Sequence, residues 1–268
     1  MLPLRSLLHA LAVERSAGDL DIPITEVCYD SRQALPGALF VALRGSYTDG
    51  HRYLEDARRQ GAVAALVEEW SDALDDYPAA VQVVDTRAAL ARVAAAFFQN
   101  PSNDLGVIGV TGTDGKSTTT FLIDAMLRAA GYHTGLVGTV AVRVGDRVVE
   151  HDTRQTTPES LDLQRLLANM RREGVQWAVL EATSHGLAMH RLDCCAFDLA
   201  VVTNITHEHL DFHGTIEAYR RAKARLLEFV AQRDDLRPYP RGVVLNACDE
   251  GARSIAAYAG SAPVIWFG

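Results

Sequence analysis

Apolar residues in this chain fall in short blocks, and the polar residues between them change period. The stretches "ALFVALRG" (38–45), "AVAALV" (62–67) and "AVQVV" (80–84) are continuous apolar runs of strand length. Between the first two, "HRYLEDARRQG" (51–61) has helical spacing and a glycine stop. "TRAALARVAAAFFQNPS" (86–102) predicts a second helix that ends before Pro101. At the N-terminus, Leu4, Leu7, Leu8 and Leu11 follow the i, i+3, i+4, i+7 spacing of an amphipathic helix, which makes "MLPLRSLLHALAVERSAG" a first helix of the fold rather than an export signal.

A second series begins at "LGVIGV" (105–110), followed by a glycine-rich loop and a helix through about residue 130. "WAVLEAT" (177–183), "FDLAVVTNI" (197–205), "GVVLNA" (242–247) and "PVIWFG" (263–268) are further strand candidates. Their near-continuous apolar character fits a parallel sheet covered on both faces. The pattern predicts an α/β chain with a boundary near residues 100–104, hence domains 1–102 and 103–268.

Composition narrows the choice of partner. The chain has 268 residues, 48% of them hydrophobic, enough for one large core or two modest ones. Its formal net charge of −8 argues against coating nucleic acid or an anionic membrane, so an anionic ligand must be held by local donors. No apolar run is long enough to span a bilayer. Cys28, Cys194, Cys195 and Cys248 form no CxxC pair and read as reduced thiols of a cytoplasmic protein.

The candidate chemistry starts at "GVTGTDGKSTTT". A strand, a loop containing Gly112, Thr113, Asp114, Gly115, Lys116, Ser117 and Thr118, and then a helix can aim successive N–H groups and a helix N-terminus at one phosphate. Lys116 can neutralise phosphate oxygens and Ser117 can ligate Mg²⁺. The general P-loop pattern is matched imperfectly, because position 110 is Val where a glycine is usual. Glu181 ends an apolar strand, which would put its carboxylate on the same rim as that loop. "NITHEHLDFHGT" (204–215) packs His207, Glu208, His209, Asp211 and His213 directly after another strand, with His209 a candidate metal or phosphate ligand. In "TIEAYRRAKARLLEFV", Lys223 falls on the apolar stripe of Ile216, Tyr219, Leu226, Leu227 and Val230. There it either snorkels or is buried with a lowered pKa, leaving a reactive neutral amine.

Together, "GVTGTDGKSTTT", "TTPES", "LEATSHGL", "TNITHEHLDFHGT" and "EAYRRAKARL" resemble the Mur ligases of peptidoglycan synthesis, and among them the MurE type. "YDSRQALPGALFVALRGSYTDGHRYLEDARRQGA" is similar to that type's uridine-nucleotide domain. The resemblance covers essentially the whole chain. It implies a small N-terminal α/β uridine-nucleotide domain, then a P-loop, mostly parallel-sheet ATPase domain that is incomplete here, with the C-terminal ligase domain absent. The implied reaction phosphorylates the free carboxylate of UDP-N-acetylmuramoyl-L-Ala-D-Glu with ATP and Mg²⁺. The third amino acid then attacks the acyl phosphate.

By the same resemblance, residues 112–118 and Asn204 would hold ATP. Lys116, Glu181, His209 and Lys223 would be catalytic, and Ser117, Glu181, His209 and a carbamylated Lys223 would serve the metal. Tyr29, Ser31, Ser46, Tyr47 and Thr48 would line the uridine site; Gln155, Thr156, Thr157, Thr183 and Arg191 would contact the muramoyl peptide. The chain departs from the family at Asp114, Gln155, Thr183, Met189 and Glu208. It also stops at "PVIWFG", so the resemblance implies a fragment, or a separate chain carrying the missing domain. Two other readings stay open. One is a folylpolyglutamate-synthase-like ligase, which would lack the uridine domain suggested by "DSRQALPGALFVAL". The other is a non-catalytic nucleotide-binding fragment.

Overall fold

The structure is a computed structural model that describes residues 1–9, 11–45, 48–149, 155–233 and 236–268. Ser46 and Tyr47 of the expected uridine site lie outside the described residues. The chain divides into two compact units, Met1–Gln99 and Asn100–Gly268.

In the first unit Leu2–Pro3 pairs separately with Pro23–Ile24, and the main sheet has the strands β1 (Val13–Gly18), β2 (Glu26–Cys28), β3 (Ala38–Val41), β4 (Ala62–Val67) and β5 (Ala79–Val83). Among the described residues they form one sheet in the order β1-β5-β4-β3-β2, with β2 to β5 parallel and β1 antiparallel at the edge. Helices α1 (Leu4–Leu8), α2 (Leu54–Arg59) and α3 (Thr86–Phe97) accompany it. One core gathers Phe40, Leu54, Ala65, Val67, Leu74 and Tyr77. The Asp85 carboxylate caps α3 by accepting from the N–H groups of Arg87 and Ala88. The expected first helix is cut short: α1 ends at Leu8, and residues 13–18 pair with β5 instead. Every side chain of β1 is exposed, so no apolar alternation marks it as a strand.

The second unit contains β6 (Gly106–Thr111), β7 (Thr134–Val137), β8 (Val142–Val144), β9 (Arg147–Val149), β10 (Trp177–Glu181), β11 (Leu199–Val202), β12 (Gly242–Asn246) and β13 (Val264–Phe267). Among the described residues their order is β9-β8-β7-β10-β6-β11-β12-β13. The six from β7 to β13 in that order are parallel neighbours, and β8 and β9 form an antiparallel hairpin at one edge. The helices are α4 (Lys116–Ala129), α5 (Ser160–Arg172), α6 (Ser184–Ala188), α7 (Leu210–His213), α8 (Ile216–Ala231) and α9 (Glu250–Ser254).

The apolar runs follow from burial on both faces. Val107, Ala178 and Leu180 join the large core with Leu167 of α5 and Leu226 and Leu227 of α8. Ile108, Val110, Trp177 and Val179 face the other way, against Ile123 and Leu127 of α4. Every residue of β6 and β10 therefore meets a layer, which removes the alternation of a half-exposed strand. From β6, the next central strands go to opposite sides: β10 on one, β11 on the other. That reversal opens a crevice at the C-terminal ends of β6, β10 and β11.

Candidate functional site

Registers bring the ends of these strands level: Glu181 pairs with Val110, and Val202 with Thr111. The loop after β6 starts at Gly112, where a Cβ would lie 1.9 Å from Thr203 Oγ1, so no larger residue fits. Gly115 has φ +79° and sits at the N-cap of α4, a left-handed position that glycine occupies without strain. A second strand end clamps the loop. Thr113 N–H donates to the Asn204 carbonyl at 2.8 Å, and Asp114 N–H to Asn204 Oδ1 at 3.0 Å. Asn204 Nδ2 and Thr203 Oγ1 return bonds to the Asp114 carbonyl at 3.2 and 2.6 Å. Asn204 thus braces the loop by its own main chain and side chain. The Asp114 side chain is exposed.

Two lysines converge on one carbonyl. Lys116 Nζ donates to the oxygens of Gly112 (3.0 Å) and Thr113 (2.8 Å), and Lys223 Nζ donates to Gly112 O at 2.6 Å. Lys223 is 1% exposed and lies 4.6 Å over the Tyr219 ring. Burial, and then the positive charge of Lys116, lower its pKa to about 7. The apolar stripe of α8 carries this amine into the core, capped at its start by Thr215, which accepts from Ala218 N–H at 3.1 Å.

Glu181 is 1% exposed and receives Ser117 Oγ–H at 3.0 Å. Thr139, on the turn after β7, donates to the same carboxylate through N–H and hydroxyl. The segment 156–157 is linked to it. Thr139 and Thr156 hydroxyls are 2.9 Å apart, and Thr157 Oγ1 donates to the Glu181 carbonyl at 2.9 Å. Thr183 lies 2.9 Å from Thr157 Oγ1 and caps α6 at Gly186 N–H. Arg191 donates to the Thr157 carbonyl at 3.1 Å and pairs with Glu159 at 3.4 Å. Gln155 is exposed.

His209 takes a left-handed φ of +54° at the start of α7, with its Nε2 3.5 Å from Glu208 Oε2. Its ring meets His185 edge-on at 4.7 Å; His185 also packs on Phe212 at 4.2 Å and His213 at 5.5 Å. Burial, then the neighbouring His185 and His209, push His213 down to about 4, and burial lowers His185 as well. Glu208 Oε2 accepts from Tyr219 OH at 3.3 Å, and Tyr219 OH lies 3.0 Å from Thr113 Oγ1.

Among the described residues, no three or more His, Cys, Asp and Glu side chains already form a metal cage. The donor chemistry is nonetheless suited to a hard divalent cation: a serine hydroxyl and an acceptor-only carboxylate meet at the phosphate loop. In the first unit, Tyr29 and Ser31 follow β2 and Thr48 follows β3, at the C-terminal ends of parallel strands. Asp30 caps the turn of Ser31–Gln33 by accepting from Arg32 N–H, and Thr48 Oγ1 lies 3.1 Å from Tyr53 OH. The structure adds Thr139, Thr203, His185 and Glu159 to the residues that pattern alone singled out. The signal for Thr203 was its place beside Asn204. Thr139 could be placed only once β7 was known.

A glycine-rich loop at a sheet switch point, clamped by the next strand end and flanked by a buried lysine, sets the chain among α/β proteins of P-loop type. Residues 110–268 match the Mur ligase middle domain, and residues 23–98 match the region described as Mur ligase family, catalytic domain. The chain belongs to the Mur ligase family. It is 51% identical over 216 residues to a UDP-N-acetylmuramyl-tripeptide synthetase from Roseiflexus sp. (strain RS-1), covering 79% of this chain and 42% of that protein. It is 40% identical over 265 residues to a UDP-N-acetylmuramoyl-L-alanyl-D-glutamate–2,6-diaminopimelate ligase from Geobacter metallireducens, covering 99% and 51%. A solved structure of a ligase of that same name superposes with a TM-score of 0.79 at 26% identity, over 99% of this chain and 52% of the other. The chain thus spans about half the length of these relatives. Among the described residues, no helix is long and apolar enough to cross a membrane.

Proposed function

We propose that this chain is the substrate- and ATP-binding part of a cytoplasmic MurE-type ligase, which adds the third amino acid to UDP-N-acetylmuramoyl-L-Ala-D-Glu. One observation carries the reading: Lys116, Ser117, Glu181 and Lys223 gather around a single loop at the C-terminal rim of β6 and β10. The relatives support the substrate, and the match over residues 23–98 favours it over a folylpolyglutamate-type ligase.

In this proposal the N–H groups of residues 115–118, at the start of α4, receive the ATP phosphates, and Lys116 leaves its two loop carbonyls to meet them. Residues 156, 157, 183 and 191 hold the muramoyl peptide so that its carboxylate faces the terminal phosphate. The bound geometry replaces an improbable encounter with an oriented one. The substrate carboxylate attacks the γ-phosphorus, ADP leaves, and an acyl phosphate forms. The incoming amine then attacks the carbonyl carbon and releases phosphate. Ser117, Glu181, His209 and carbamylated Lys223 would hold Mg²⁺, which offsets charge on the transferring phosphoryl group. The neutral Lys223 amine bonds to the carbon of CO₂ and loses a proton, giving the anionic carbamate. Tyr29, Ser31 and residues 46–48 would receive the uridine diphosphate. The amino-acid-binding domain is proposed to lie outside this sequence, on the same or a separate chain.

Calorimetry on the full chain tests the reading. Magnesium–ADP is expected to bind, and Lys116→Ala to abolish binding without lowering the melting temperature. Wild-type protein that is folded yet binds no magnesium–ADP at millimolar concentration would overturn it.

A further inference from the structure

The turn after β7 is built around a carboxylate. At Gly138 a Cβ would lie 2.2 Å from Glu181 Oε1, so only glycine lets the turn approach that closely. The next residue, Thr139, then donates twice: its N–H to Glu181 Oε1 at 3.0 Å and its hydroxyl to Oε2 at 3.0 Å. Ser117 Oγ–H reaches the same Oε2 at 3.0 Å. Both oxygens of a 1%-exposed carboxylate are therefore fixed before any ligand arrives.

We propose that Thr139 is the positioning residue that holds Glu181 in the orientation needed by the divalent cation of a bound nucleotide. The inference rests on the nucleotide reading above. The Thr139 hydroxyl has one proton to give, and Glu181 Oε2 lies within its reach at 3.0 Å. The same hydroxyl also reaches Thr156 Oγ1 as a donor, 2.9 Å away. Thr139 thereby joins the carboxylate beside the phosphate loop to the segment proposed to carry the peptide. With Ser117 turned to a bound cation, the Thr139 bonds would remain, and the carboxylate would keep its place without having to be ordered again. Orienting groups of this kind around a ligating carboxylate tune affinity for the ion.

The test measures how far magnesium strengthens ADP binding. The full chain is titrated with ADP in excess EDTA and in excess Mg²⁺, and the ratio of the two affinities is compared among variants. Thr139→Val keeps shape and the backbone N–H but deletes the hydroxyl. It is expected to cut the magnesium-dependent gain about tenfold, the scale of one hydrogen bond to a charged group, while affinity in EDTA stays unchanged. Thr139→Ser is expected to restore the gain. If Thr139→Val weakens binding equally in EDTA and in Mg²⁺, the hydroxyl is merely structural and the inference fails. It fails alone if wild type responds to magnesium and Thr139→Val responds equally. A wild type whose ADP affinity ignores magnesium would overturn the nucleotide–metal reading and this inference with it.

Discussion

Lys223 shows how one position sets chemistry. A helix that must bury Tyr219, Leu226 and Leu227 also buries the residue between them. Folded Lys223 releases its proton near pH 7, whereas unfolded lysine does so near 10.5. Between those values the unfolded chain binds the extra proton, so stability rises with pH across that window and the penalty is present in full below it. In CO₂-free buffer, the melting temperature of wild type is expected to climb from pH 6.5 to 9 relative to that of Lys223→Met. Parallel curves would contradict a buried, depressed amine. With ¹³C-bicarbonate at pH 8, a carbamate resonance is expected that Lys223→Met lacks. Gly112 makes the complementary steric case. Gly112→Ala drives a methyl to within 1.9 Å of Thr203 Oγ1, and magnesium–ADP binding should be lost in calorimetry while the far-UV spectrum is retained.

Among the elements, one buried lock lies away from the loop. Asp198, 0% exposed, accepts from Val107 N–H at 2.8 Å, Arg233 at 2.7 Å, and Arg237 through Nε and Nη2, both at 2.9 Å. Arg237 continues to the carbonyls of Ser102, Asn103 and Leu105. One carboxylate thus ties the start of β6 to the segment after α8. Asp198→Ala would leave two guanidinium groups without their buried partner, a loss of about 3–5 kcal/mol. Urea unfolding should show the midpoint fall accordingly, and a shift below about 1 kcal/mol would mean that solvent reaches the arginines.

For the whole molecule, each of the two compact units is expected to unfold in its own transition, linked to its own ligand. A ligand that binds only the folded form stabilises by about 2.7 kcal/mol at one hundred times its dissociation constant. Scanning calorimetry of the full chain is expected to show UDP raising the transition of the unit Met1–Gln99 and magnesium–ADP that of Asn100–Gly268. The assignment can be made with Lys116→Ala, which should silence the ADP shift alone. If UDP shifts neither transition, the uridine site proposed around Ser31 and Thr48 is wrong.

The sequence by itself determined the parts whose cause is local. Continuous apolar runs marked β3, β4, β6 and β10 because both faces are covered, and the glycine spacing marked the tight loop after β6 because close approach at Gly112 and a positive φ at Gly115 admit little else. The stripe of α8 pointed to Lys223 for the same reason. β1 left no such trace, being an exposed edge held by main-chain bonds to β5. β7, "TGLV", was hidden by Gly135, which reads as a turn but lies 2.5 Å, at its would-be Cβ, from Met170 Sδ of α5. With β7 unseen, Thr139 had no place, and neither did its bonds to Glu181. Only the tertiary structure decided that Thr139 and Thr156 join Ser117 and Glu181. Parallel neighbours are joined through long crossovers, so strand order and register are set by packing between distant segments rather than by any window of sequence.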